Sequence, residues 1–130
     1  MSSFSDYTEN KVLDHIVGKT SFTMPSVWVG LYTAAPSDTG GGTEVTGGSY
    51  ARKSTAGADW AAASGGATSN ANAITFVTPS ASWGTVTHFA LFDASTAGNM
   101  LAWAPLTSSQ AVGTGNTVSF AVGDLDITLS

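Results

Sequence analysis

The 130-residue chain has no cysteine and only four basic residues, Lys11, Lys19, Arg52 and Lys53. Without cysteine, neither a disulfide nor a thiolate metal site can hold the fold. Four cations against nine carboxylates give a formal net charge of −5. A surface that tracks phosphates needs clustered cations, so nucleic-acid binding is excluded as a main role. Charged residues make up 10% of the chain, far below the roughly 25% usual for soluble domains. Ser, Thr, Asn, Gly and Ala must therefore cover most of the outside. No run approaches the ~18 apolar residues of a membrane span, and Met1 to Lys19 lacks the basic flank and apolar run of a secretory leader. The chain is expected to be made in the cytoplasm of its host cell and to leave it by lysis or as part of a particle.

What the sequence does have is alternation. Val86 to Phe92, Met100 to Leu106, Thr117 to Val122 and Leu125 to Leu129 each read as a strand. Gly98, Asn99, Gly113, Gly115, Asn116, Gly123 and Asp124 punctuate them. Val27 to Thr33 puts Val27, Val29 and Leu31 on one face, with Trp28 and Tyr32 on the other. In Val86 to Phe92, Val86, His88, Ala90 and Phe92 oppose Thr87, Phe89 and Leu91. Further strands are expected at Tyr50 to Thr55 and Ala73 to Val77. Pro36 to Gly42 reads as a long flexible loop, and Ala56 to Asn72 as a loop pinned by Trp60. The fold class is mainly β, an antiparallel β-sandwich of about eight strands, jelly-roll or immunoglobulin-like, with one N-terminal α-helix. Residues 1–130 are expected to form a single sandwich domain, 1–19 being the helical segment and 20–130 the sandwich. Val29, Leu31, Phe89, Leu91, Phe120 and Ile127 are assigned to one core.

The helix is expected over Ser5 to Val17. Ser5 can cap it, Asp6 and Glu9 suit its positive end, and Gly18 is placed to stop it. Val12, Leu13, Ile16 and Val17 fall on one stripe. A helix this short needs a partner for that stripe, either its own sandwich or a neighbouring protein, so these four residues are candidate interface residues.

Groups for catalysis are scarce. His15 and His88 are the only neutral-pH bases, and no Gly-x-Ser-x-Gly elbow exists. His88 reads as a structural imidazole hydrogen-bonded to its strand neighbours. Asp124 and Asp126 alternate onto one face and so could hold calcium or act as a glycosidase pair; a turn Asp followed by a solvated strand Asp is the plainer reading. No cofactor or metal site is expected. Of four tryptophans, Trp28 and Trp103 are assigned to the core, while Trp60 and Trp83 are left between core and surface. Trp60 and Trp83 join the helix stripe as candidate interface residues. With Tyr50 they also form a candidate stacking platform for sugar rings.

In order, the chain carries LYTAAP (31–36), Glu44 and Val45, GGSYAR (47–52), Trp60 before alanines, AITF (73–76) and THFALFDA (87–94). This series resembles a family of small tailed-phage virion proteins, labelled tail-fibre or minor structural proteins and similar to the mycobacteriophage Gp80-like group. The resemblance implies a non-enzymatic virion protein on the outside of the particle, a head decoration or cement protein or a tail-fibre or attachment subunit. Its implied partners are capsid or tail subunits and further copies of itself. The alternative is a carbohydrate-binding module that adsorbs to a host surface glycan.

Overall fold

The computed structural model describes residues 3–129. The elements run β1 (Ser3–Phe4), α1 (Asp6–Ile16), β2 (Val27–Ala34), β3 (Thr43–Glu44), β4 (Lys53–Thr55), a single 3-10 turn (Gly57–Asp59), β5 (Ala67–Ser69), β6 (Ile74–Thr75), β7 (Gly84–Phe92), β8 (Met100–Val112), β9 (Ser119–Phe120) and β10 (Asp126–Thr128). The fold is mainly β, all strand pairs are antiparallel, and one helix stands near the N-terminus. Six strands form one sheet in the order β1-β8-β7-β2-β3, with β4 also on β2. The second layer is two ribbons, β5–β10 and β6–β9, rather than one continuous sheet.

Period-two placement builds the core between these layers. Val29 and Leu31 from β2 and Phe89 and Leu91 from β7 meet Phe76, Val118, Phe120, Leu125 and Ile127 in one buried cluster. All six residues assigned to a common core are in it. The opposite face of the sheet carries a smaller cluster of Tyr32, Ala90, Phe92 and Met100, with Trp28 and Trp103 packed against it.

Two irregularities in the β7–β8 pairing break the expected alternation. Val86 pairs with Gln110 but His88 pairs with Pro105, so β8 carries extra residues at this point. The bulge re-aims β7, and Val86 joins Phe89 in the main core instead of sharing the Ala90 and Phe92 face. A second shift, between Leu91 and Phe92, places Leu101 in the main core beside Ala102.

Several strands are shorter than the sequence suggests. The Tyr50 to Thr55 strand contracts to Lys53–Thr55, because Tyr50 and Arg52 turn to Glu44. Pro36 to Gly42 is tied down, not loose: Ser37 and Gly40 exchange backbone hydrogen bonds of 2.7 and 2.9 Å. Asp38 in that turn accepts from the Ser3 hydroxyl at 2.6 Å and the Trp103 indole at 2.9 Å.

The helix begins as its sequence implies. The buried Ser5 hydroxyl oxygen accepts the Thr8 N–H at 3.2 Å and donates to the Met100 carbonyl, while the Ser5 N–H reaches the Leu101 carbonyl at 3.1 Å. The cap thus fastens the first turn to β8. Gly18, at φ +81°, ends the helix in the left-handed conformation that suits glycine. Of the Val12, Leu13, Ile16 and Val17 stripe, only Val12 is partly covered. Thr8 is buried, Tyr7, Lys11 and Val12 are half-buried, and Leu13, Ile16 and Val17 are 59%, 72% and 67% exposed. Ser5 fixes the helix by its first turn, which confines contact to the first two turns and leaves the C-terminal end of the stripe bare.

Candidate functional site

Glu44 on β3 and Arg52 before β4 stand on opposite sides of the Gly47–Gly48 turn. They form a two-pronged ion pair, Nε to Oε2 at 2.8 Å and Nη2 to Oε1 at 2.9 Å. The Tyr50 hydroxyl donates to Glu44 Oε2 at 2.7 Å and accepts the Leu31 N–H at 2.9 Å. Arg52 Nη1 donates to the carbonyls of Ala94 and Ala97, each at 2.9 Å, in the loop joining β7 to β8. Its guanidinium lies 3.5 Å from the centroid of the Phe92 ring, which stacks on Tyr32. One arginine therefore ties β3 to the β7–β8 loop across the sheet face.

Electrostatics follow from this packing. Burial, reinforced by the hydrogen bond to Glu44, pushes the Tyr50 phenol far above its ordinary range, so it remains a donor. Burial also raises Tyr32, with Glu44 adding to the effect. Burial works against the charged Arg52, but Glu44 outweighs it and holds the guanidinium more firmly protonated. Gly30 makes room for the cluster: a Cβ there would lie 2.9 Å from Glu44 Oε2 and 3.1 Å from the Phe92 ring.

A cleft lies on either side of the β7–β8 loop. One, of about 490 Å³, is lined by Asp6, Tyr7, Tyr32, Asp38, Phe92 and Asn99 among others. The second, of about 430 Å³, is bordered by Trp28, Glu44, Tyr50, Arg52, Ser95 and Thr96. The loop between them is braced, because Asp93 accepts the Asn99 N–H at 2.7 Å and its side-chain amide at 2.9 Å.

The residues singled out from sequence are not gathered at one place. Trp83 is 4% exposed and donates its indole N–H to the Gly48 carbonyl at 2.9 Å, so it is core and offers no outer face. Tyr50 meets Trp83 edge-on at 5.3 Å. Trp60 is half-buried, its N–H on the Thr55 hydroxyl at 3.0 Å. Tyr50, Trp60 and Trp83 therefore make no open stacking platform, since two of the rings pack into each other at the edge of the main core. Trp28 and Trp103, assigned to the core, are half-buried against the smaller cluster.

The Nδ1 of His88 is hydrogen-bonded to the neighbouring Thr87 hydroxyl at 2.8 Å, and burial lowers its pKa. His15 is exposed and its Nδ1 accepts the Phe22 N–H at 3.1 Å. Asp124 closes a turn by accepting the Ala121 N–H at 2.9 Å, and Asp126 is exposed on β10. Among the described residues, the one group of three carboxylates at mutual metal-ligand distance is Asp6, Glu9 and Asp38, within 4.8 Å. Sequence reading did not single it out, because Asp38 reaches the helix only through the folded 37–40 turn.

Sequence reading also missed the Glu44–Tyr50–Arg52 cluster. Its one legible sign was opposite charge across the Gly47–Gly48 turn, with Tyr50 and Arg52 two residues apart on one side of an extended segment. Asn70 was missed too. It is buried, donates to the carbonyls of Asn72 and Ala121 at 3.0 and 2.9 Å, and accepts the Leu125 N–H at 2.9 Å.

Comparison with known proteins gives one family. A family model described as podophage GP4 fiber I protein gp80 matches residues 3–128. No curated protein matches the chain at a significant level.

Proposed function

This chain belongs to the podophage GP4 fiber I protein gp80 family and is therefore a virion component, and from that premise we propose that it is a non-enzymatic fibre subunit held in the particle by protein–protein contacts. The observation that carries this reading is the bare end of α1. Leu13, Ile16 and Val17 project from one stripe, and Met24 just beyond is 91% exposed. Phe22 folds that segment back along the helix, its ring edge-on to Tyr7 at 6.4 Å. A short amphipathic helix with its apolar end uncovered gains stability when a partner buries it, and the partner we assign is a neighbouring fibre or tail subunit.

The scarcity of reactive groups supports a structural role. The two histidines stand in separate places, each with a local hydrogen bond, and Asp124 serves a turn. The fibre assignment is tested by labelling purified particles with an antibody against this chain and imaging them by electron microscopy. Label on tail fibres is the expected result. Label spread over the head would replace this reading with a decoration protein.

A further inference from the structure

The outward side of α1 changes character along its length. Residues 9, 13 and 16 fall in one row of a helix, and Glu9, Leu13 and Ile16 are all exposed. At the start of the row the charge is negative, since carboxylate oxygens of Asp6, Glu9 and Asp38 lie within 4.8 Å of one another. At its end is Lys19. The Gly18 N–H donates to the His15 carbonyl at 3.2 Å and the Lys19 N–H to the Asp14 carbonyl at 2.8 Å, the paired closure of a helix that stops on a left-handed glycine. That closure holds the Lys19 backbone against the helix end, and the residue is exposed. Among the described residues the one ion pair is Arg52 with Glu44, so Glu9 and Lys19 bring uncommitted charges to a contact.

A surface that runs acidic, apolar, basic is complementary to itself when reversed. Laid antiparallel about a two-fold axis midway between Leu13 and Ile16, each copy sets Leu13 against the partner's Ile16. At a rise of about 1.5 Å per residue, Glu9 lies about 8 Å before that axis, and Val17, where the helix stops, about 4 Å beyond it. Lys19, closed onto the helix end, then has about 4 Å to span to the partner's Glu9, and the contact occurs twice. Parallel alignment does the opposite: it sets Glu9 against the partner's Glu9 and points both helix dipoles the same way. Asp14 and His15 stand about 100° and about 200° round the helix from Leu13, off the row, so they do not decide the register.

We infer that the partner of the bare end of α1 is a second copy of this chain, the two helices running antiparallel with Leu13 and Ile16 packed together and Glu9 facing the partner's Lys19. The inference rests on the reading of α1 as the attachment surface and names what it attaches to.

The test is sedimentation velocity of the full chain from about 10 μM to about 1 mM. The parent should pass from monomer to dimer across this range, and Leu13→Ser/Ile16→Ser should stay monomeric. Glu9→Lys or Lys19→Glu alone turns both attractions into repulsions and should weaken pairing about fivefold or more. Mixed in equal amounts, these two single variants place lysine opposite glutamate at both contacts and should pair about as tightly as the parent. Mixing would not rescue a variant whose helix had merely loosened. The inference is overturned by a parent that stays monomeric or forms trimers, by a serine variant that still pairs, or by a mixture that pairs no better than its components. Antibody label on particles judges the fibre reading separately. A monomeric chain found on tail fibres would keep that reading and remove the self-pairing, and a dimeric chain found on the head would do the reverse.

Discussion

The guanidinium of Arg52 lies over the ring of Phe92, 3.5 Å from its centroid, while its nitrogens hold Glu44 on one side and two loop carbonyls on the other. Several blocks that carry the family resemblance meet here: Leu31 and Tyr32 from LYTAAP, Glu44, Tyr50 and Arg52 from GGSYAR, and Phe92 and Ala94 from THFALFDA. Far apart in the chain, they form one hydrogen-bonded and stacked unit.

Arg52→Met should therefore cost about 2–4 kcal/mol, below the upper end for a broken buried pair because water still reaches Glu44. Arg52→Lys should recover only a small part, since an ammonium cannot reproduce the fork or the stacking. Urea titration of the three proteins measures this. Equal stability of all three would show that the cluster contributes nothing to the fold.

Gly30 tests the same cluster from beneath. Its φ is ordinary, so the need for glycine here is one of space alone, with Glu44 Oε2 at 2.9 Å from where a Cβ would sit. Gly30→Ala should cost about 1–3 kcal/mol by forcing side chains in a packed site to move. A neutral Gly30→Ala measured by thermal unfolding would mean that the carboxylate shifts freely.

Asn70 is expected to be as sensitive as a large core residue. Asn70→Ala strands the buried Leu125 N–H, at about 1–3 kcal/mol for that group alone, and frees the turn leading to β10. Hydrogen exchange should quicken at Leu125 and across β5–β10 before the rest of the chain. Unchanged protection at Leu125 would contradict this role.

Alternation made the main core legible, because Val29, Leu31, Phe89, Leu91, Phe120 and Ile127 depend only on which face of a strand they occupy. What stayed hidden depends on partners far along the chain. Trp83 can be buried in the main core because the carbonyl of Gly48, 35 residues away, takes its N–H. The helix stripe faces outward because Ser5 is fastened to Met100, 95 residues away. Val86 changed faces through a bulge whose extra residues are on the other strand. At the candidate site, the opposite charges of Glu44 and Arg52 across the Gly47–Gly48 turn were legible. The bracing of the loop joining β7 to β8 was not, since it follows from where Arg52 and Asp93 find their partners.

Asp38 joins β1, the 37–40 turn and β8 through a carboxylate that titrates. Hydrogen bonds from Ser3, then Trp103, hold its pKa below the ordinary 3.8 against a smaller opposing effect of burial. Because the folded-state value is the lower one, this stabilisation is complete above 3.8 and is lost as pH falls through the folded-state value. The Trp103 indole resonance should therefore titrate with a midpoint below 3.8, and Asp38→Asn should abolish that titration. A midpoint at or above 3.8 would contradict the hydrogen-bonded carboxylate.

The central claim is that the bare end of α1 fastens this chain into the particle. The direct measurement is the amount of the chain in purified virions carrying Leu13→Ser/Ile16→Ser/Val17→Ser, set against the melting temperature of the isolated variant. These side chains are exposed in the free protein, so the melting temperature should stay within about 2–3 °C of the parent, the small effect of surface substitution, while the chain is largely lost from particles. Full incorporation of a normally folded variant would show that the attachment lies elsewhere on the molecule.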